Sequence, residues 1–134
     1  VHAHAADVDQ LAVVAGRPQP ERGEIRLPLM TDWPNRPRQK VDREAGKASF
    51  TEYALAAYHP ADDTSRVTLI PHTGRSHQLR VHMQAIGHPI LGDELYADPA
   101  HRMAAARLLL HATSLGLAHP RTGLRLSFES PAPF

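Results

Sequence analysis

The chain has 134 residues, no cysteine and a formal charge of +1, with 42% hydrophobic and 22% charged residues. This length fits one domain with a real core, and the lack of cysteine excludes disulfides, thiolate nucleophiles and thiolate metal sites. Because the net charge is close to zero, any surface for nucleic acid must be local. No apolar run is long enough to cross a bilayer, and we expect a cytoplasmic protein.

The first third of the chain predicts short strands and an irregular segment. Residues 1–9 are small, histidine-rich and weakly patterned, which indicates a disordered or tail-like N-terminus. Residues 10–16 predict a strand, and the alternation in residues 24–30 predicts another, which Pro28 weakens or places at a sheet edge. Prolines interrupt residues 31–47, which we expect to be irregular.

The next segment predicts a hairpin and then a helix. Residues 48–59 and 64–71 read as two strands joined by the turn "PADD". A helix follows with Thr73 or Ser76 as its cap, and its apolar face is formed by Leu79, Met83 and Ile86. Gly87 fits the position just after the helix, and Pro89 prevents its continuation.

The C-terminal segment predicts a short helix and a closing hairpin. Asp98 and Pro99 fit the N-cap and first position of the helix. Residues 107–120 and 123–131 form the predicted hairpin, with its turn at "HPRTG". Antiparallel hairpins with few helices indicate the α+β class, with a mostly antiparallel or mixed sheet.

The histidines in residues 72–96 raise the question of a metal site. His72, His77 and His82 are spaced by five, whereas residues on one helix face are three or four apart. Histidines that bond to backbone or solvent are therefore the better interpretation, and we predict no metal.

Arg75 lies where a strand is expected to end and a helix to begin. A cation is unfavourable at the positive end of a helix dipole, so an anion facing Arg75 would explain it. The anion could be a protein carboxylate or a ligand phosphate, and an arginine extended into solvent is an equally open alternative. Arg80 lies within the helix, where a solvated face is the favoured interpretation.

Residues 31–47 hold five basic and three acidic side chains beside Trp33. Basic groups with an exposed aromatic suit phosphate contacts and base stacking, although an ordinary solvated loop is the favoured alternative from composition alone. A nucleophile elbow of the G-x-S-x-G type and a glycine-rich phosphate loop are both absent from the sequence.

The run "HTGRSHQLRVHMQAIGHPILGDELYA" resembles the central signature of RluA-type pseudouridine synthases, G-R-[ST]-H-Q-[IL]-R-V-H followed by G-H-P-[IL]-L-G-D-x-x-Y. "RLLLHA" resembles a later motif of that family, and "LPLMTDWPNRPRQKV" resembles the branch that modifies both ribosomal and transfer RNA. "QLAVVAG" resembles the strand K-x-Y-x-A-x-V-x-G. The resemblance covers residues 10–134.

The resemblance implies a cofactor-free enzyme that converts uridine in rRNA or tRNA to pseudouridine. It implies an essential aspartate in an H-R-L-D motif, a tyrosine from the K-x-Y strand near the uracil, and Arg75 as the partner of that aspartate. RNA is the implied partner, and the candidate RNA-binding residues are Arg36, Arg38, Lys40, His77, Gln78 and Arg80.

Two departures from the family pattern change that expectation. "HRLD" does not occur in the sequence, and Gln10 stands at the tyrosine position. We therefore expect residues 10–134 to be the C-terminal portion of the catalytic domain, inactive by itself. The alternative is a non-catalytic protein derived from the family that binds RNA or a partner. Sheet edges left exposed by a partial domain predict self-association.

Overall fold

A computed structural model of the chain describes residues 8–118, 125–129 and 134. Its helices and strands, in chain order, are β1 (Val8–Ala15), β2 (Arg22–Ile25), β3 (Leu29–Thr31), β4 (Gln39–Val41), β5 (Thr51–His59), β6 (Thr64–Pro71), α1 (Gln78–Ala85), α2 (Pro99–Met103), β7 (Leu110–Ala118) and β8 (Arg125–Glu129). Six strands form one sheet in the order β2-β5-β6-β1-β7-β8, and β3 pairs with β4 separately. All strand pairs are antiparallel, which confirms the α+β class.

The main core lies between the centre of the six-stranded sheet and α1. Alternate residues of β1 and β6 point to one face, where Val14, Val67 and Leu69 are fully buried. Leu79 and Met83 of α1 pack against them. Removing these apolar side chains from water fixes the helix on the sheet, so the loop before α1 is held over the ends of β1 and β6. Neither helix in the described ranges is long and apolar enough to span a membrane.

The hairpin predictions are confirmed. Strands β5 and β6 pair along their length, with one irregularity between Leu55 and Ala57. Strands β7 and β8 also pair, while their predicted turn at residues 119–123 lies outside the described residues.

Three predictions in the N-terminal third need correction. Strand β1 begins at Val8, so the boundary predicted after residue 9 falls inside it, and residues 1–7 lie outside the described part. The single strand predicted at residues 24–30 is two strands, because proline lacks the N–H that a ladder needs, and Pro28 separates β2 from β3. The irregular segment contains a 3-10 turn (Trp33–Asn35) and strand β4.

The predicted cap of α1 is wrong, whereas its end is confirmed. His77 is the N-cap residue, in the left-handed region with φ 54°, and its side chain makes no capping hydrogen bond. Gly87 follows the helix with φ +89°, as glycine at that position commonly does. Helix α2 follows Asp98 and begins at Pro99 as predicted, although the Asp98 carboxylate bonds to His101 Nδ1 and not to the helix backbone.

Candidate active-site cleft

A cleft of about 240 Å³ lies where the loop before α1 passes the ends of β1, β6 and β7. None of its lining residues is acidic; they are Gln10, Pro71, Thr73, Gly74, Arg75, His77, Gln78, Leu79, Arg80 and Leu110. The fold therefore brings Arg75, His77, Gln78 and Arg80 together in one cleft. Gln10, which replaces the tyrosine of the family pattern, lies in the same lining.

Gln78 holds the loop that carries Arg75. Its Oε1 accepts hydrogen bonds from the Thr73 hydroxyl at 2.6 Å and from the Arg75 backbone N–H at 3.1 Å. Its Nε2 donates to the Phe50 carbonyl and to Thr51 Oγ1, both at 2.9 Å. Both ends of the amide are thus used within the chain, and the residue is only 4% exposed.

The Arg75 side chain reaches into the cleft with its charge unmatched by a carboxylate. Its Nε donates to the Ala48 carbonyl at 3.1 Å. Within the described part of the chain, Arg75 takes part in no ion pair, and its two terminal guanidinium nitrogens have no hydrogen bond. These nitrogens are the fork that binds carboxylate or phosphate in two-pronged geometry.

Arg80 is not the solvated helix residue that the sequence favoured. Its Nε and one terminal nitrogen donate to the two oxygens of Asp93, at 3.0 and 2.8 Å, and Asp93 is fully buried. Asp93 Oδ1 also accepts the backbone N–H groups of Leu95 and Tyr96. The hydrogen bond to Asp93 raises the pKa of Arg80. Sequence reasoning missed this pair because its members are 13 residues apart and follow no helical or strand period.

His77 is fixed in one tautomer by Tyr96. The Tyr96 oxygen accepts the Gln39 backbone N–H at 2.8 Å and lies 2.7 Å from His77 Nδ1. Tyr96 is 3% exposed, and its hydroxyl hydrogen has no other described acceptor, so it donates to Nδ1. His77 therefore carries its proton on Nε2 when neutral. Burial, and then the Arg80 charge, lower the His77 pKa against the weaker opposing effect of Asp93.

The basic segment divides into an anchored and an outward part. Arg38 donates to the Leu95 carbonyl and lies over the Tyr96 ring, so it ties the segment to the loop after Asp93. Arg36 lies over the Trp33 ring, 5.3 Å from its centre, and Trp33 is 61% exposed. Lys40 lies on β4 and is exposed.

The three histidines that are spaced by five bond to separate partners. His72 Nε2 lies 2.5 Å from a Glu52 oxygen, and His77 pairs with Tyr96. His82 is fully buried, with Nε2 donating to the Leu27 carbonyl and Nδ1 accepting from Thr51. Among the described residues, no group of three or more His, Asp or Glu side chains is arranged to hold a metal ion.

The α+β sheet domain places two arginines of the G-R-S-H-Q-L-R motif, Arg75 and Arg80, in the lining of one cleft. The model of the family described as RNA pseudouridylate synthase matches residues 6–85. The chain belongs to the RNA pseudouridylate synthase family.

Curated relatives share most of this chain but extend well beyond the match. The dual-specificity RNA pseudouridine synthase RluA of Escherichia coli strain K12 is 56% identical over 124 residues, which are 92% of this chain and 56% of that protein. RluA of Pasteurella multocida is 51% identical over 123 residues, again 92% and 56%. This chain thus spans little more than half the length of these relatives.

Solved structures support the same fold. Human RNA pseudouridylate synthase domain containing 1 superposes with a TM-score of 0.80 at 31% identity, covering 95% of this chain and 55% of that one. Human RNA pseudouridylate synthase domain containing 4 has a TM-score of 0.71 at 23% identity, covering 94% and 57%, and supports the fold alone.

Proposed function

We propose that this chain forms the Arg75 side of an RNA pseudouridine synthase active site, that its substrate is rRNA or tRNA, and that it does not isomerise uridine by itself. The observation that carries the proposal is a cleft with two arginines of the motif and no carboxylate in its lining. The family reaction needs an aspartate to act at the sugar, and "HRLD" does not occur among the 134 residues.

Arg75 is suited to receive a carboxylate from outside the described residues. Its Nε is held by Ala48, so the guanidinium is oriented while both terminal nitrogens are still available. A guanidinium within hydrogen-bond reach keeps a carboxylate ionised and lowers its pKa. The proposed role of Arg75 is therefore to hold the catalytic aspartate ionised and correctly placed.

The first cleft is smaller than the cofactor-free uridine reaction of the family would need. The reaction breaks the bond between uracil and ribose, turns the base and rejoins it through carbon, so the base must be enclosed but free to rotate. The cleft volume of about 240 Å³ lies below the ~300–1,000 Å³ of complete small-ligand pockets. A further wall is expected from the rest of a catalytic domain.

The predicted RNA-binding residues take two different roles in this proposal. Arg36 and Lys40 offer exposed charges to phosphates. His77 offers an Nε2–H donor to the cleft. The other three side chains form hydrogen bonds within the chain, and their role is to position the cleft and its neighbouring loops; they are Gln78, Arg38 and Arg80.

The first test is pseudouridine formation on rRNA and tRNA fragments. We expect no site-specific conversion by the purified chain above a control without protein. The second arm joins the segment of the Escherichia coli relative that precedes the match to residues 10–134, with Gln10→Tyr. We expect this chimera to form pseudouridine, and Arg75→Ala in the chimera to abolish the activity.

Matched variants separate the two cleft arginines. Arg75→Lys keeps the charge but removes the fork, and should lose most of the chimera's turnover while the protein stays folded. Arg80→Lys should lower the melting temperature as well. Conversion by the chain alone, or full activity of the Arg75→Ala chimera, would contradict the proposal. An inactive chimera whose parent chain binds RNA would favour the non-catalytic RNA-binding alternative.

A further inference from the structure

A second cleft adjoins the first, and Arg75 is the residue that lines both. Its volume is about 330 Å³, and its other lining residues are Leu29, Met30, Thr31, Trp33, Gln39, Ala45, Lys47 and Ser76. The walls come from the β3–β4 hairpin and from the segment before β5. A chain molecule that fills both clefts has to pass Arg75.

The second cleft combines an open aromatic ring with positive charge. Trp33 is 61% exposed and, with Met103, is one of two exposed large hydrophobic side chains in the described residues. Lys47 and Arg75 add two cations, and none of the lining residues is acidic. Aromatic rings beside cations are how proteins hold unpaired nucleobases and the backbone that joins them.

The hairpin that carries Trp33 is braced at several points. The Asp32 N–H donates to the Arg38 carbonyl at 2.8 Å, and the Arg38 N–H donates to the Asn35 carbonyl at 3.0 Å. The guanidinium of Arg36 lies over the indole. A platform held in this way loses little conformational freedom when a base stacks on it, which favours binding.

We propose that the second cleft holds the base of a nucleotide next to the one in the first cleft, stacked on Trp33. In the chain tested without the catalytic aspartate, the joining phosphate lies on the terminal nitrogens of Arg75, which bond to no carboxylate of the described residues. The inference rests on the proposed function, because it needs RNA in the first cleft. The ligand is a single-stranded or unstacked RNA segment of at least two nucleotides. Because Arg75 lines both clefts, its positive charge lies where the phosphate between the two nucleotides would be.

The single tryptophan of the chain makes the test direct. The probes are seven-nucleotide RNAs of uridine, intact or with one abasic site on either side of the central position. Fluorescein anisotropy gives the affinity, and Trp33 fluorescence reports stacking. We expect the quenching of Trp33 fluorescence to saturate at the same RNA concentration as the anisotropy. When the abasic site removes the stacked base, we expect roughly tenfold weaker binding and no quenching.

Variants and outcomes separate this inference from the proposed function. Trp33→Ala should lower the affinity for the intact RNA about tenfold and remove the effect of the abasic site on the affinity. Met103→Ala, at the other exposed large hydrophobic side chain, should change neither the affinity nor the effect of the abasic site. Arg75-dependent binding without quenching overturns the inference and leaves the proposed function standing. Equal quenching by intact and abasic RNAs also overturns it. If no RNA binds, both fail.

Discussion

The buried Arg80–Asp93 pair gives the sharpest test of the structure, through the substitution Asp93→Asn. The Asp93 carboxylate is fully buried and accepts four hydrogen bonds, two from Arg80 and two from the backbone N–H groups of Leu95 and Tyr96. Asparagine keeps the shape and one oxygen, so both backbone bonds can survive. It removes the charge and turns one acceptor for Arg80 into a donor.

The expected cost follows from the burial of both partners. The Arg80 side chain is only 19% exposed, so solvent does little to replace the lost carboxylate. Removing one partner of a buried pair costs about 3–5 kcal/mol, and the retained backbone bonds favour the lower end, about 3 kcal/mol. For a domain of this size each kcal/mol lowers the melting temperature by roughly 3–5 °C, which predicts a fall of about 10 °C.

Circular dichroism melts and urea unfolding of the same samples measure this cost. The control is Glu21→Gln, because Glu21 pairs with Arg17 at 2.6 Å but both side chains are about half exposed. Exposed pairs contribute little, so this change should stay within about 0.5 kcal/mol. Equal effects of the two substitutions would refute the reasoning that burial makes the Arg80 pair important.

Four further predictions follow from other features. Gly92→Ala should prevent normal folding, because Gly92 has φ +78° and an added Cβ would overlap the Arg107 carbonyl oxygen; Gly87→Ala, with φ +89° and open space, should cost only about 1–2 kcal/mol by urea unfolding. The free energy of unfolding should fall as the pH drops from 7.5 to 5.5, because burial lowers the pKa of His82 in the folded chain. In the unfolded chain the His82 side chain has a pKa near the ordinary value of 6.5, so it takes up a proton that the folded chain does not bind. A stability that does not change with pH would contradict this prediction. Arg36→Ala with Lys40→Ala should reduce the salt dependence of RNA binding by roughly 0.7 per lost phosphate contact, measured by anisotropy across a salt series, while an unchanged slope would remove the segment as a phosphate surface. Light scattering should give at least twice the monomer mass of 14.8 kDa, since β2 is an edge strand of the six-stranded sheet, and a clean monomer would count against edge pairing.

The sequence predicted correctly those elements in which the hydrophobic periodicity agrees with the residues that mark a turn or a helix end. The β5–β6 hairpin combines alternation in both strands with a clear turn, and α1 combines an apolar face with Gly87 at its end. The N-cap could not be predicted, because the usual capping residues Thr73 and Ser76 lie nearby. The N-cap is His77, which makes no capping hydrogen bond, and the loop before the helix is held instead by the Gln78 side chain, which accepts from the Thr73 hydroxyl and the Arg75 N–H. The Gln78 amide is fixed in turn by Phe50 and Thr51, 28 and 27 residues away in the chain, and no local pattern reveals such contacts.

The β3–β4 hairpin escaped prediction for a different reason. Each strand has only three residues, and the segment between them contains two prolines. Its stability comes from distant contacts, since Arg38 and Gln39 bond to residues 57 positions away in the chain. Propensity within a short window cannot register such contacts, so the basic loop was expected to be irregular.

Tyr96 links the two clefts physically, because its hydroxyl bonds to one residue from each. Gln39 lines the second cleft and donates its N–H to the phenol oxygen, while His77 lines the first and accepts the phenol hydrogen. The Tyr96 backbone is in turn held by Asp93. Asp93→Ala, which removes the bond to the Tyr96 backbone as well as the charge, should therefore disturb both clefts together, whereas Arg75, bonded through Nε to Ala48, is held independently of this network. The structure thus separates residues that set the relative position of the two clefts from the arginine that both share.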